Sequence, residues 1–162
     1  MTSPSPDQGA EADRSDLDPL ALEAQVCFAL SAAARALVAV YRPILEPLRL
    51  THPQYLVMLA LWERGPLSGA ELAGVVHLDP GTLSPLVARL AALGYVRKSR
   101  SADDARVVSI SLTTAGRALR EQAKDVPAQV VERTGMSVDE LTQVRVAADR
   151  VVAAGRRAGV LG

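Results

Sequence analysis

The sequence predicts a mainly α-helical chain interrupted by one short β-hairpin, and three observations carry that expectation. Apolar residues recur at spacings of three and four along most of the chain. One segment, Arg106 to Leu112, instead alternates Val108, Ile110 and Leu112 with Val107, Ser109 and Ser111, the period of a strand. Helix starts of the form Ser-x-x-Glu and Asp-Pro, with glycine or proline closing the periodic runs, divide the rest into separate helices.

Taken in order, Leu20 to Leu45 reads as a long first helix. Val26, Leu30, Ala33, Leu37, Tyr41, Ile44 and Leu48 form one stripe, and Pro43 and Pro47 bend or end it. Pro53 to Arg64 is a second helix, capped by Thr51 and stopped by Gly65-Pro66; it is apolar on nearly every side and is therefore expected to be buried. Ser68 with Glu71 opens a short third helix to Val76. Asp79 caps a fourth, with Pro80 at its first position, Leu83, Leu86, Val87 and Leu90 facing inward, and Gly94 as its stop. Tyr95 to Arg100 and Arg106 to Leu112 are the hairpin strands, joined by a polar loop, Ser101 to Ala105. Thr113 or Thr114 then caps a helix to about Arg133 with a kink at Pro127. After Gly135, Ser137 and Glu140 open a last helix to about Arg157.

Composition narrows the function classes. The 162 residues are 49% apolar and carry 18 basic and 18 acidic side chains, so a uniformly basic coat is excluded and a local basic patch is not. Residues 1–18 hold five acidic side chains against Arg14 alone and almost nothing to bury; they read as a disordered acidic tail ahead of a single domain spanning 19–162. That start has no apolar run of the kind a signal peptide needs. One cysteine, Cys27, excludes an intrachain disulfide framework, and with two histidines it cannot close a four-ligand zinc site. No metal or cofactor is implied. The longest apolar stretch, Val26 to Leu50, is interrupted by Arg35, Arg42, Pro43 and Pro47 and is not read as a membrane span, so a cytoplasmic protein with no membrane partner is expected.

The third helix, the His77-Leu78 turn, the fourth helix and the hairpin together make a winged helix-turn-helix over about 51–113, a shape whose second helix enters a major groove of double-stranded DNA or else serves as a plain packing unit. Helices at about 19–48 and 114–160 flank it. At the start of the fourth helix Pro80 is followed by Gly81, Thr82 and Ser84, residues small and polar enough to approach base edges and phosphates. Arg89 lies farther along the same helix. Arg97, Lys98 and Arg106 supply positive charge on the hairpin, a run that reads either as a DNA-facing patch or as a solvated face. Asp104, two residues before Arg106, lies on the same side of an extended chain, where its carboxylate either aims the guanidinium into a minor groove or forms an ordinary surface pair.

At these residues the chain resembles a family. Asp104-Ala105-Arg106, followed after five residues by Leu112-Thr113, is similar to the wing signature of the MarR family of dimeric bacterial repressors. Cys27-Phe28-Ala29-Leu30, Tyr41-Arg42-Pro43, Pro53-Gln54-Tyr55-Leu56-Val57-Met58, Leu61-Trp62-Glu63 and the run from Leu78 to Leu86 resemble its OhrR branch, in register over about residues 20–125. The resemblance implies a homodimeric repressor that senses organic hydroperoxides through Cys27 and leaves a pseudo-palindromic operator on oxidation. It is of the one-cysteine type, in which a low-molecular-weight thiol caps the sulfur as a mixed disulfide or oxidation proceeds further.

It also implies that Tyr41 bonds the reactive sulfur. About 21 Å of helix separates the two residues, so the tyrosine would come from the partner subunit. His52 stands where close relatives carry a second sulfur-bonding tyrosine, and Ser31 replaces another. The histidine either donates to or charges the thiol site, or simply fills the helix junction. With Cys27 expected two turns past the helix start, the helix dipole contributes little there. Two other functions fit parts of the sequence: the same fold answering an apolar or phenolic ligand with Cys27 as an inert core residue, and a thiol peroxidase, which lacks a resolving thiol.

Overall fold

A computed structural model of the chain describes residues 18, 20–100 and 108–160. The acidic tail over residues 1–17 and the wing tip over residues 101–107, with Asp104 and Arg106, lie outside the described residues. The chain divides into two units, residues 1–39 and 40–162.

In the first unit a 3-10 turn, Leu22–Ala24, precedes the first helix, α1 (Val26–Leu45). This corrects the expected start at Leu20. Gln25 takes an extended conformation (φ −85°, ψ 116°) and separates the turn from the helix, so Cys27 lies in the first turn of α1 rather than two turns inside it. Val26, Phe28, Leu30 and Val38 are all exposed. The stretch Val26–Leu48 has the length and mean hydropathy, 1.4, of a membrane span, and only 11% of it is buried. The apolar stripe expected along the whole helix is thus covered only at its end, through Ile44, Leu45 and Leu48.

The second unit holds the core. α2 (His52–Arg64) begins at Thr51, whose N–H donates to Gln54 Oε1 at 2.9 Å, and buries Tyr55, Val57, Met58, Ala60 and Leu61. A two-residue strand, β1 (Leu67–Ser68), follows, then α3 (Gly69–Val76) and α4 (Pro80–Ala92). Ser68 Oγ accepts the Glu71 N–H at 3.2 Å while Glu71 returns a carboxylate to the Ser68 N–H at 2.7 Å. Hydroxyl and amide donors from Ser68 hold the Glu71 carboxyl below its ordinary range. His77 ends α3 in the left-handed region, φ 54°.

The wing strands are β2 (Val96–Arg100) and β3 (Val108–Leu112), with Val96 opposite Leu112 and Arg100 opposite Val108. The sheet order is β1-β3-β2, all antiparallel. β1 escapes sequence reading because two residues carry no periodicity and their partners, Ile110 and Ser109, are some forty residues away.

The helix expected from Thr113 to Arg133 is two: α5 (Thr114–Ala123) and α6 (Val126–Thr134). Pro127 is not a mid-helix kink. It sits in the first turn of α6, where a missing N–H costs no hydrogen bond. α7 (Val138–Arg157) has the expected Ser137–Glu140 start and no buried residue, with Val138, Val144, Val146 and Val151 exposed. One core joins α2, α3, α4, the sheet, α5 and α6 with the end of α1, and Leu72, Val87, Leu90 and Val126 are buried almost completely.

Candidate functional site

The first turn of α4 is built around Asp79. Its carboxylate accepts the Thr82 N–H at Oδ1 (2.9 Å) and the Thr82 hydroxyl at Oδ2 (2.6 Å), and these donors hold the carboxyl below its ordinary range. Pro80 at the first helical position needs no donor there. A Cβ on residue 81 would come 3.0 Å from Asp79 Oδ1, so glycine leaves the carboxylate its place. Pro80, Gly81, Thr82 and Ser84 are all exposed, while Leu83, Val87 and Leu90 anchor the opposite face in the core and Leu86 is half-buried. Arg89 is exposed in the last turn. Seven residues at 1.5 Å place it about 10 Å from Thr82 along the axis and nearly on the same face.

The strand alternation of β2 separates two residues expected to act together. Lys98 lines a hollow of about 350 Å³ with Gly69, Pro80, Ser84, Val108 and others between α4 and the wing. The Arg97 Nε instead donates to Ser111 Oγ at 3.2 Å. Lys98 therefore shares a surface with the start of α4, and Arg97 belongs to the other side of the sheet. Gly69 in that hollow escaped sequence reasoning; the Ser68–Glu71 capping pattern beside it was the available signal.

Two of the three residues assigned to thiol chemistry come together. The rings of Tyr41 and His52 lie edge-on, with centroids 5.0 Å apart, and Tyr55 follows 5.9 Å from Tyr41. Both Tyr41 and His52 are half-buried. Burial pushes the Tyr41 phenol up and the His52 imidazole down, so at neutral pH both are uncharged and each carries one hydrogen to donate. Cys27 is exposed, in the first turn of α1. The His77 ring lies with both nitrogens 3.4 Å from Arg156 Nη2. No cluster of potential metal ligands occurs among the described residues.

A family model described as MarR family matches residues 50–108, from just before α2 to the first residue of β3. The organic hydroperoxide resistance transcriptional regulator of Bacillus subtilis is 38% identical over 130 residues, covering 80% of this chain and 88% of that one. The chain belongs to the MarR family. The transcriptional regulator TtmR of Methylorubrum extorquens is 48% identical over 123 residues, or 76% of this chain; the chain spans 63% of that relative's length. Among solved structures, reduced AbfR bound to DNA superposes with a TM-score of 0.70 at 27% identity, covering 82% of this chain and 93% of that one. BpsR of Bordetella bronchiseptica, whose DNA binding is regulated by 6-hydroxynicotinic acid, gives 0.74 at 26% identity over 83% and 98%. This MarR-family chain is a DNA-binding transcriptional regulator with a winged-helix fold, and its relatives are regulators rather than enzymes.

Proposed function

We propose that the protein is a homodimeric repressor that holds a pseudo-palindromic operator and releases it when an organic hydroperoxide oxidises Cys27. The observation that carries this is the exposed lone cysteine in the first turn of an apolar helix whose Val26, Phe28, Leu30 and Val38 are also exposed, in a chain 38% identical to an organic hydroperoxide regulator. A second copy is the occupant that both α1 and α7 call for, since each exposes four large apolar side chains. In that dimer Tyr41 and His52 of the partner subunit, both neutral donors, bond the sulfur of Cys27.

The thiolate attacks one oxygen of the hydroperoxide. The S–O bond forms as the O–O bond breaks, the alkoxide takes a proton and leaves as the alcohol, and the sulfur, oxidised by two electrons, becomes a sulfenic acid. With no second thiol in the chain, a low-molecular-weight thiol then displaces water to give a mixed disulfide. The enlarged sulfur biases the spacing of the two DNA-reading lobes, and affinity falls through that coupling. Pro80, Gly81, Thr82, Ser84, Arg89 and Lys98 meet the major groove and its flanking phosphates. Arg97 contacts backbone on the far side of the wing, and Arg106, aimed by Asp104, enters the minor groove.

The test is fluorescence anisotropy on DNA from upstream of the protein's own gene, at stated salt, with wild type and Cys27→Ser before and after stoichiometric cumene hydroperoxide. Release of wild type alone supports the proposal; if peroxide leaves both bound, it fails. A second reading has its own observation: a groove of about 420 Å³ between α2 and α5–α6, lined by Tyr55, Leu59, Trp62, Arg120 and Lys124 among others, has room for a phenolic or apolar anion. Under that reading Cys27→Ser responds to the ligand as wild type does.

A further inference from the structure

We propose that Thr82 reads an exocyclic amino group in the major groove, adenine N6 or cytosine N4, through a hydroxyl that can only accept. The assignment rests on the proposed docking of α4 in the groove and adds what that docking leaves open. A threonine hydroxyl has one hydrogen and two lone pairs, and a carboxylate has no hydrogen to offer. The 2.6 Å contact between Thr82 Oγ1 and Asp79 Oδ2 therefore consumes the only hydrogen the hydroxyl owns. It is a short, charge-assisted bond. The other carboxylate oxygen is engaged by the Thr82 N–H, so Asp79 grips the residue at two points and fixes its rotamer. Gly81 keeps the space that this grip needs.

What remains exposed on Thr82 is an acceptor. Phosphate oxygens are acceptors too, and the negative charge of Asp79 lies directly behind the hydroxyl, so a backbone contact is disfavoured twice. Of the groups that base pairs present in the major groove, only adenine N6 and cytosine N4 donate. Thr82 thus belongs with the residues that specify sequence, and Asp79 is its positioning residue.

The operator is first selected by the intact protein from a randomised duplex library. Each adenine is then replaced in turn by purine and each cytosine by 2-pyrimidinone, which removes one amino group at a time and separates the two possible donors. Wild type should lose on the order of five- to tenfold in affinity at one position per half-site. Thr82→Val should lose a similar factor on the unmodified operator and nothing further at that position, the non-additivity that marks a direct contact. Thr82→Ser should rescue binding. If Thr82→Val weakens every duplex equally and lowers the salt slope by about one, Thr82 touches a phosphate and the assignment is overturned. If Thr82→Val binds every duplex as wild type does, it is overturned as well. Ser84→Glu separates the underlying reading: a carboxylate there should abolish binding if α4 enters the groove, and unchanged binding would overturn the docking itself.

Discussion

Two glycines in helices should respond to alanine in opposite directions, and the geometry sets both sizes. At Gly116, in the first turns of α5, a Cβ would lie 2.0 Å from the Tyr95 carbonyl oxygen, 2.9 Å from its carbon and 3.3 Å from Leu112 Cδ2. The first of these is about 1.4 Å inside ordinary contact, against backbone that has little freedom to retreat. That carbonyl accepts the Thr113 N–H at 3.0 Å, while the Thr113 hydroxyl donates to Gly94 O at 2.5 Å; Gly116 O accepts the Trp62 indole N–H at 2.8 Å, and the Gly116 N–H donates to Thr113 Oγ1 at 3.0 Å. Moving α5 outward to clear the methyl stretches the whole set. Overpacking of this kind costs about 1–3 kcal/mol, and one or two lost hydrogen bonds add about 1 kcal/mol each, for a total of roughly 4 kcal/mol. At Gly74, on the exposed side of α3, a Cβ meets nothing within 4 Å. Alanine there should stabilise by about 0.5–1 kcal/mol through the entropy of the unfolded chain. Urea denaturation followed by Trp62 fluorescence and circular dichroism, at one protein concentration, measures both. Gly116→Ala within about 0.5 kcal/mol of wild type would refute the packing argument.

Three further outcomes follow from burial and exposure. Because burial lowers the His52 imidazole below its ordinary 6.5, the unfolded chain binds the proton more readily; the contribution of His52 is complete above pH 6.5 and is lost as pH falls through the folded value. Wild type should therefore lose more thermal stability than His52→Gln between pH 7.5 and 5.5, and parallel melting curves would contradict the assignment. Leu72 on α3 is wholly buried, so Leu72→Ala should cost about 2–5 kcal/mol in the same urea experiment, whereas truncating the exposed Val144 of α7 in a monomer–dimer titration should weaken self-association instead.

Much of this architecture can be read directly from residue pattern. Asp79-Pro80 and Ser68-x-x-Glu71 mark helix starts whose chemistry is local, and α3, α4 and α7 begin where those signals stand. Readings that depend on distant partners fare worse. The first helix reads as continuous from Leu20, but Gln25 is extended and separates the Leu22–Ala24 turn from α1. The break after Ala123 carries no glycine, and the proline that suggested a kink belongs to the next helix start. In the site, the Asp79–Thr82 spacing was legible as a cap, but not the second bond that fixes the hydroxyl. Consecutive basic residues, Arg97 and Lys98, read as one patch until strand pleating sends them to opposite faces.

Ser68 belongs to two elements at once. Its backbone faces Ser109 across the sheet, while its hydroxyl and N–H close the first turn of α3. The middle strand of the wing and the first helix of the helix-turn-helix thus meet at Ser68. On the proposed docking, a wing that tilts to follow a groove carries the start of α3 with it, which couples insertion of the wing to the angle at which α4 is presented.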